Sequence, residues 1–279
     1  MTLDDVASAV AMYRAGGWGE RERFLRTVLS VSSCRLLVGT VDGELVATGM
    51  ATINGPVGWI GSIFTKPECR SRGYGRAMTQ AACDIIAAAG CRTAALIASD
   101  YGKPLYDTMG FRVDAEYEIY AGPKAGAAEA GAPEAGAAAA AGRVICRPMR
   151  AGDLAGALEL DRLATGEDRS TLISALAHEG WVAEARGALR GYLVSIRPDS
   201  GALIAEDREA AAALLERLRA NAAPGEPVHA ALVSGHQMGR SLLADLGWRP
   251  AFRTPRMLRG DPIDWRPEMI WSVLGFAFG

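Results

Sequence analysis

The stretch WIGSIFTKPECRSRGYGRAMTQAA, Trp59 to Ala82, decides the fold. Trp59 to Phe64 is apolar, reads as a buried strand, and runs into an Arg/Gly loop, Arg70 to Gly75. Beyond Arg76 the apolar residues Met78, Ala81, Ala82, Ile85 and Ala89 recur at helical spacing, so the loop opens directly into an amphipathic helix. Gly73 and Gly75 remove side chains where a backbone must approach a ligand closely. The N–H groups of a helix's first turn have no partners within the helix, and they favour an anion. Arg70, Arg72 and Arg76 surround the same spot with positive charge. A pyrophosphate is the natural guest.

Two familiar phosphate loops do not fit. A P-loop needs a lysine followed by Ser or Thr after its last glycine, and Arg76-Ala77 follows Gly75 here. A dinucleotide fingerprint needs a third glycine, which RSRGYGRAM lacks. Arg70-Ser71-Arg72-Gly73-Tyr74-Gly75 instead resembles the Q/R-x-x-G-x-G/A acyl-CoA signature of the GNAT superfamily of N-acetyltransferases. The context agrees with that resemblance: a strand precedes the loop, a helix follows, and LYDTMGF (Leu105 to Phe111) comes after the next strand, where such enzymes carry their tyrosine.

Composition sets wider limits. The 279 residues are 49% hydrophobic and 22% charged, ordinary for a globular chain and enough for two cores. A formal net charge of −2 offers no overall pull towards nucleic acid or an anionic membrane, and neither is expected as a partner. Lys66, Lys103 and Lys124 are the only lysines among 30 basic residues, a bias that fits a GC-rich genome. The five cysteines are scattered without a C-x-x-C pair and read as reduced thiols in a cytoplasmic protein. His178, His229 and His236 are too far apart to suggest a zinc motif, so no metal is expected. MTLDDVASAV does not read as a signal peptide, and no apolar run approaches the ~20 residues of a membrane span.

Along the chain, Thr2 is a plausible N-cap for a helix carrying Val6, Ala9, Val10 and Tyr13, and a second helix runs from about Glu20 to Leu29. Arg35 to Val41 and Glu44 to Thr52 form a hairpin turning at Asp42-Gly43. Thr93 to Ser99 is a buried strand, Lys103 to Met109 a short helix, and Phe111 to Tyr120 another strand. Ala121 to Gly142, AGPKAGAAEAGAPEAGAAAAAG, has no apolar face to bury and reads as a flexible linker. After it the chain repeats. MRAGDLAGALELDR (Met149 to Arg162) aligns without gaps on MTLDDVASAVAMYR (Met1 to Arg14), and LGWR (Leu246 to Arg249) answers MGFR (Met109 to Arg112).

The expected architecture is α/β (α+β): two lobes, each a mixed sheet flanked by helices, at 1–120 and 143–279, joined by the linker 121–142. The pair resembles tandem bacterial GNAT proteins with a YitH-type second domain, whose ATGEDR-like segment is Ala164 to Arg169. Ala15 to Trp18 fits the first-lobe pattern. The resemblance implies a strand before the first helix, as Val144 to Arg147 supplies in the second lobe. Met1 stands almost at the first helix, so that strand is missing or encoded upstream. The second copy is shorter: 105 residues separate Asp5 from Gly110, but 94 separate Asp153 from Gly247. Its helix Arg208 to Arg219 begins without a Gly-rich loop, and Leu243 stands where Tyr106 would, so the copy reads as degenerate. Asp168 is expected to cap a helix and Arg169 to pair across the lobes. The apolar tail Trp265 to Gly279 is expected to complete a sheet or to pack between the lobes.

The resemblance implies acetyl-CoA as co-substrate and an amine as acceptor. It places Ile63, Phe64 and Thr65 at main-chain contacts with the pantetheine arm, a backbone N–H close to Phe64 at the oxyanion, and Tyr106 as general acid. Arg70, Ser71, Arg72, Gly73, Tyr74, Gly75 and Arg76 would hold the pyrophosphate. Trp18 is a candidate wall of the acceptor pocket. Glu20, Glu22 and Asp100 are candidates for the general base, because the strand Trp59 to Thr65 has no carboxylate of its own. The acceptor expected is a small molecule or amino-acid-like amine. The alternatives are a non-catalytic acyl-CoA-binding regulator, and acetylation of a protein lysine or N-terminus.

Overall fold

A computed structural model describes residues 1–123, 143–222, 225 and 227–279. Most of the linker expected at 121–142 lies outside them. The chain divides into two compact units, each drawn from separate stretches: 1–114, 256–262 and 276–279 in one, 115–255 and 263–275 in the other.

In the first unit, helices α1 (Val6–Ala15) and α2 (Glu22–Ser30) precede the hairpin β1 (Cys34–Val41) and β2 (Glu44–Asn54). The turn works because Asp42 (φ 49°) and Gly43 (φ 80°) both take left-handed backbone, as a two-residue hairpin requires. Next come β3 (Val57–Thr65), α3 (Tyr74–Ala88), β4 (Thr93–Ile97), α4 (Lys103–Thr108) and the start of β5 (Arg112–Ala121). β1, β2 and β3 are antiparallel, and β4 runs parallel to β3. The far edge of β4 is not left open. Arg256–Gly260 pairs along it, with Arg256 opposite Ile97 and Gly260 opposite Thr93. The buried Arg256 guanidinium is held by Asp114, its Nε 3.0 Å from Oδ1. α3 buries Ala82, Cys83 and Ile86 against Ile60, Ala94 and Leu96, the face that its 3.6-residue period dictates.

The last four residues also belong to this unit. Thr52 Oγ1 donates to the Ala277 carbonyl at 3.0 Å, and Asn54 Nδ2 to the Phe278 carbonyl at 3.1 Å. Phe278 meets Phe24 of α2 edge-on, and Gly61 has to be glycine because a Cβ there would lie 2.0 Å from that of Ala277.

In the second unit, β6 (Ile145–Pro148) leads into α5 (Leu154–Thr165) and α6 (Ser170–Leu176). Strands β7 (Trp181–Ala185), β8 (Ala188–Arg197) and β9 (Ser200–Ala205), helix α7 (Arg208–Asn221), β10 (His229–Val233), α8 (Gln237–Asp245), β11 (Arg249–Gly260) and β12 (Ile270–Ser272) follow. One sheet has the order β12-β9-β8-β7-β6, and β10 pairs instead with β5. Part of the tail therefore completes a sheet: β12 pairs with β9 and packs against β10.

The repeat read from sequence is present atom for atom at several points. Asp5 Oδ2 accepts the Thr2 N–H, and Asp153 Oδ2 the Arg150 N–H, both at 2.7 Å. Arg186-Gly187 (φ 52° and 78°) turns the β7–β8 hairpin as Asp42-Gly43 turns β1–β2. Ser99 Oγ accepts the Gly102 N–H, and His236 Nδ1 accepts the Gly239 N–H. Asp168 takes the expected role at the α6 N-terminus, accepting the Ser170 N–H at 3.1 Å. Arg169 corrects an expectation. It pairs with Asp161 inside its own unit, both almost wholly buried, with the Tyr192 hydroxyl on the same carboxylate. A guanidinium removed from water needs a partner at once, and the preceding helix offers Asp161 eight residues away.

Candidate active site

Parallel pairing between β3 and β4 holds for four residue pairs, from Val57–Thr93 to Ile60–Leu96, and then stops. β3 continues to Thr65, still paired with β2 on its other side. From Gly61 onwards no strand among the described residues pairs with its β4-facing edge, which is the splay that the resemblance implies. Just there β3 bulges. Thr48 lies opposite Phe64 but Met50 opposite Gly61, so Ser62 and Ile63 together face the single residue Gly49. Ser62 has φ 51°, an uncommon state for a residue with a side chain. Ile63 and Thr65 are half-buried, and Phe64 is buried.

Beyond β3, a short turn at Pro67–Cys69 leads into the Arg/Gly loop. Ser71 (φ 62°) and Gly73 (φ 87°) are both left-handed. Alternation of this kind turns successive N–H groups towards one side and forms an anion-binding concavity. Gly73 caps α3 with no side-chain hydrogen bond, and the Ala77 N–H makes the bond to its carbonyl, so the amides of the first turn before Ala77 face outward. A Cβ on Gly73 would meet no atom within 4 Å, so the space in front of it is open. Arg70, Ser71, Arg72 and Arg76 are exposed, and Tyr74 and Gly75 half-buried. Arg70 stands over the Tyr101 ring at 5.4 Å. Arg76 Nη2 donates to Thr108 Oγ1 at 2.6 Å, tying the loop to the helix that carries Tyr106.

Tyr106 is 8% exposed, packed edge-on against Phe111 and clustered with Ile60, Ala98 and Met257. Burial pushes its hydroxyl up to about 12. Trp18 stacks on Tyr13 with centroids 5.4 Å apart and meets Phe64 edge-on at 4.9 Å, so it stands against the bulged end of β3. Glu20 is exposed and ion-paired with Arg14, whose hydrogen bond holds its carboxyl below the usual range. Glu22 pairs with Arg26, and Asp100 is exposed on the turn after β4. The structure thus brings Trp18 to β3 and ties the Arg/Gly loop to α4, and it leaves the three carboxylates on the surface. Among the described residues no cluster of His, Cys, Asp and Glu is suited to a metal ion.

Sequence reasoning missed the groups beneath the bulge: Tyr13, Thr48 and Ser62 itself. Tyr13 was legible only as one apolar position on α1. A bulge leaves no mark in a run of strand-forming residues.

Two family models match, an acetyltransferase (GNAT) family over residues 5–111 and an acetyltransferase (GNAT) domain over 157–272. The chain belongs to the GNAT acetyltransferases. It is an acyltransferase with two such domains in tandem. Among solved structures, a candidate acetyltransferase from Pyrococcus horikoshii is 19% identical with a TM-score of 0.81, the match covering 100% of this chain and 94% of that one. A GCN5-related N-acetyltransferase from Sphaerobacter thermophilus is 16% identical (TM-score 0.63; 95% and 96% covered). A tandem GNAT protein from the clavulanic acid biosynthesis pathway is also 16% identical (TM-score 0.64; 94% and 96% covered). At such identities the likeness is one of fold. Comparison with curated proteins gave no match.

Proposed function

We propose that the first GNAT domain transfers an acetyl group from acetyl-CoA to the amine of a small molecule or an amino-acid-like acceptor. One observation carries this reading: the edge of β3 freed from β4 at Gly61 lies on the same strand that leads into the open, left-handed loop at Gly73. Acetyl-CoA would supply the acetyl thioester. Arg70, Arg72 and the α3 amides would hold its pyrophosphate, and Arg76 would fix the loop against α4. Ile63 and Thr65 would bond the pantetheine arm as a neighbouring strand would. A backbone N–H at Ile63–Phe64 would meet the charge that develops on the thioester oxygen.

Tyr106 would serve as the donor to the departing sulfur. Its burial constrains how. With the phenol near 12, full proton transfer to a thiolate of pKa about 8.5 would run roughly 5 kcal/mol uphill, so a hydrogen bond from the neutral hydroxyl is the favoured form of help. Glu20 is engaged by Arg14 and poorly suited to act as base. The acceptor amine would therefore lose its proton to water before attack, on the side walled by Trp18.

The test is calorimetric titration of acetyl-CoA into the full chain and into Gly73→Asp, followed by turnover with a panel of amines. Binding that the aspartate abolishes, with turnover of at least one amine, upholds the reading. Binding without turnover across the panel favours a regulator, and no binding to the full chain overturns the proposal.

A further inference from the structure

The bulge in β3 is held from below by two buried hydroxyls. Thr48 Oγ1 donates to the Ser62 carbonyl at 3.0 Å and lies 2.8 Å from the Tyr13 hydroxyl. A carbonyl only accepts, so the Thr48 proton is committed to Ser62, and the Tyr13 O–H must be the donor to Thr48. Both side chains are 0% exposed. The chain of bonds therefore has one direction, from Tyr13 through Thr48 to Ser62, and it ends on the one residue of β3 with a left-handed backbone. Backbone of that kind persists only where its surroundings hold it.

The peptide that follows Ser62 is planar and trans, so its carbonyl oxygen and the Ile63 N–H point in opposite directions. With the Ser62 oxygen held by Thr48 Oγ1, the Ile63 N–H points away from that hydroxyl, on the stretch of β3 where the pairing with β4 has ended. The second domain provides a comparison within the same chain. The positions equivalent to Tyr13 and Thr48 are Asp161 and Tyr192, again hydrogen-bonded to each other. That pair is joined by Arg169, and β9 has no left-handed residue among those described. A bond between these two positions is thus common to both domains. Its extension onto a bulge belongs to the first alone.

From this we infer that Tyr13 and Thr48 are positioning residues for acyl transfer: by fixing the Ser62 carbonyl they aim the Ile63 amide at the thioester oxygen. The inference rests on the reading of the first domain as the catalytic one. Loss of an oxyanion donor costs about 10²–10³ in turnover, and misaiming one is expected to cost roughly ten- to a hundredfold.

The experiment compares Thr48→Val, Thr48→Ser and Tyr13→Phe in the full chain. Thr48→Val keeps the shape and removes the hydroxyl. It should lower kcat ten- to a hundredfold with acetyl-CoA affinity unchanged within about twofold, and Thr48→Ser should restore kcat to within about threefold. Tyr13→Phe should fall between the two. Unchanged kcat in Thr48→Val, or a fall shared equally by the serine variant, overturns the inference. So does loss of acetyl-CoA binding in step with kcat, which would mark general collapse of the strand. A second readout does not depend on turnover. The Ile63 amide resonance of the unliganded protein should move in Thr48→Val and stay in Thr48→Ser; if it stays in both, the inference fails even should the wild type prove inactive. Inactivity of the wild type with acetyl-CoA would by itself count against the proposed function, and the resonance would still decide the aim of the amide.

Discussion

At the scale of single residues, Tyr106 and Arg169 meet the same penalty of burial with opposite outcomes. Burial disfavours the charged form of a phenol, so Tyr106 stays protonated until the pH nears about 12. The rate should rise with pH as the acceptor amine loses its proton and should show no alkaline fall below about pH 11, which a pH–rate profile would reveal. The same shift favours the folded state up to about pH 10, and that contribution fades as pH climbs from there towards 12. Tyr106→Phe should bind acetyl-CoA as before and turn over about 10²–10³ more slowly, the cost of losing a hydrogen-bond donor to developing charge, by calorimetry and steady-state kinetics together. Arg169, by contrast, stays charged because Asp161 accompanies it into the interior. Arg169→Leu would strand the Asp161 carboxylate, and unfolding in urea should show a loss of about 3–5 kcal/mol.

At the scale of elements, Gly61 is the sharpest point of leverage on the tail. Gly61→Val would drive a side chain into Ala277, release Phe276–Gly279, and break the bonds from Thr52 and Asn54. A cost of about 1–3 kcal/mol and faster proteolytic trimming of the tail are expected, measured by urea unfolding and limited digestion. Most elements were legible beforehand because they are local. Asp42-Gly43 fixes the first hairpin by its own dihedral preferences, and the helical spacing of Met78, Ala81, Ala82, Ile85 and Ala89 marks α3, although the face it buries runs through Met78, Ala82, Cys83 and Ile86 and leaves Ala89 exposed. The expected strand Thr93 to Ser99 and helix Lys103 to Met109 differ from β4 and α4 by no more than two residues at an end. What the sequence did not disclose is pairing at long range. Nothing in RMLRG (Arg256 to Gly260) names β4 as its neighbour, and nothing in FAFG (Phe276 to Gly279) names Thr52. Of the candidate site, the Arg/Gly loop and Tyr106 could be read as motifs. The hydroxyls under the bulge could not, since their meaning lies in a register shift that no local pattern records.

At the scale of the whole molecule, neither unit is a continuous piece of chain. A fragment of residues 1–123 would lose Arg256–Gly260 and leave β4 as a bare edge, with Asp114 deprived of Arg256. Exposed strand edges invite pairing with other chains. The fragment should therefore aggregate, and should bind acetyl-CoA weakly or not at all where the full chain binds; light scattering and calorimetry would show both. The second unit raises a different matter, one of competition. On β3 no strand among the described residues pairs with the edge beyond Ile60, but the corresponding edge of β9 is taken by β12. A segment tethered to its own groove stands there at an effective concentration on the order of millimolar. Any acyl thioester arriving at β9 must displace that resident, and only two residues separate β9 from α7, against the eight that build the loop between β3 and α3. A guest would pay the whole cost of eviction with no pyrophosphate grip to offset it, so saturation at one acetyl-CoA per chain is the expected stoichiometry.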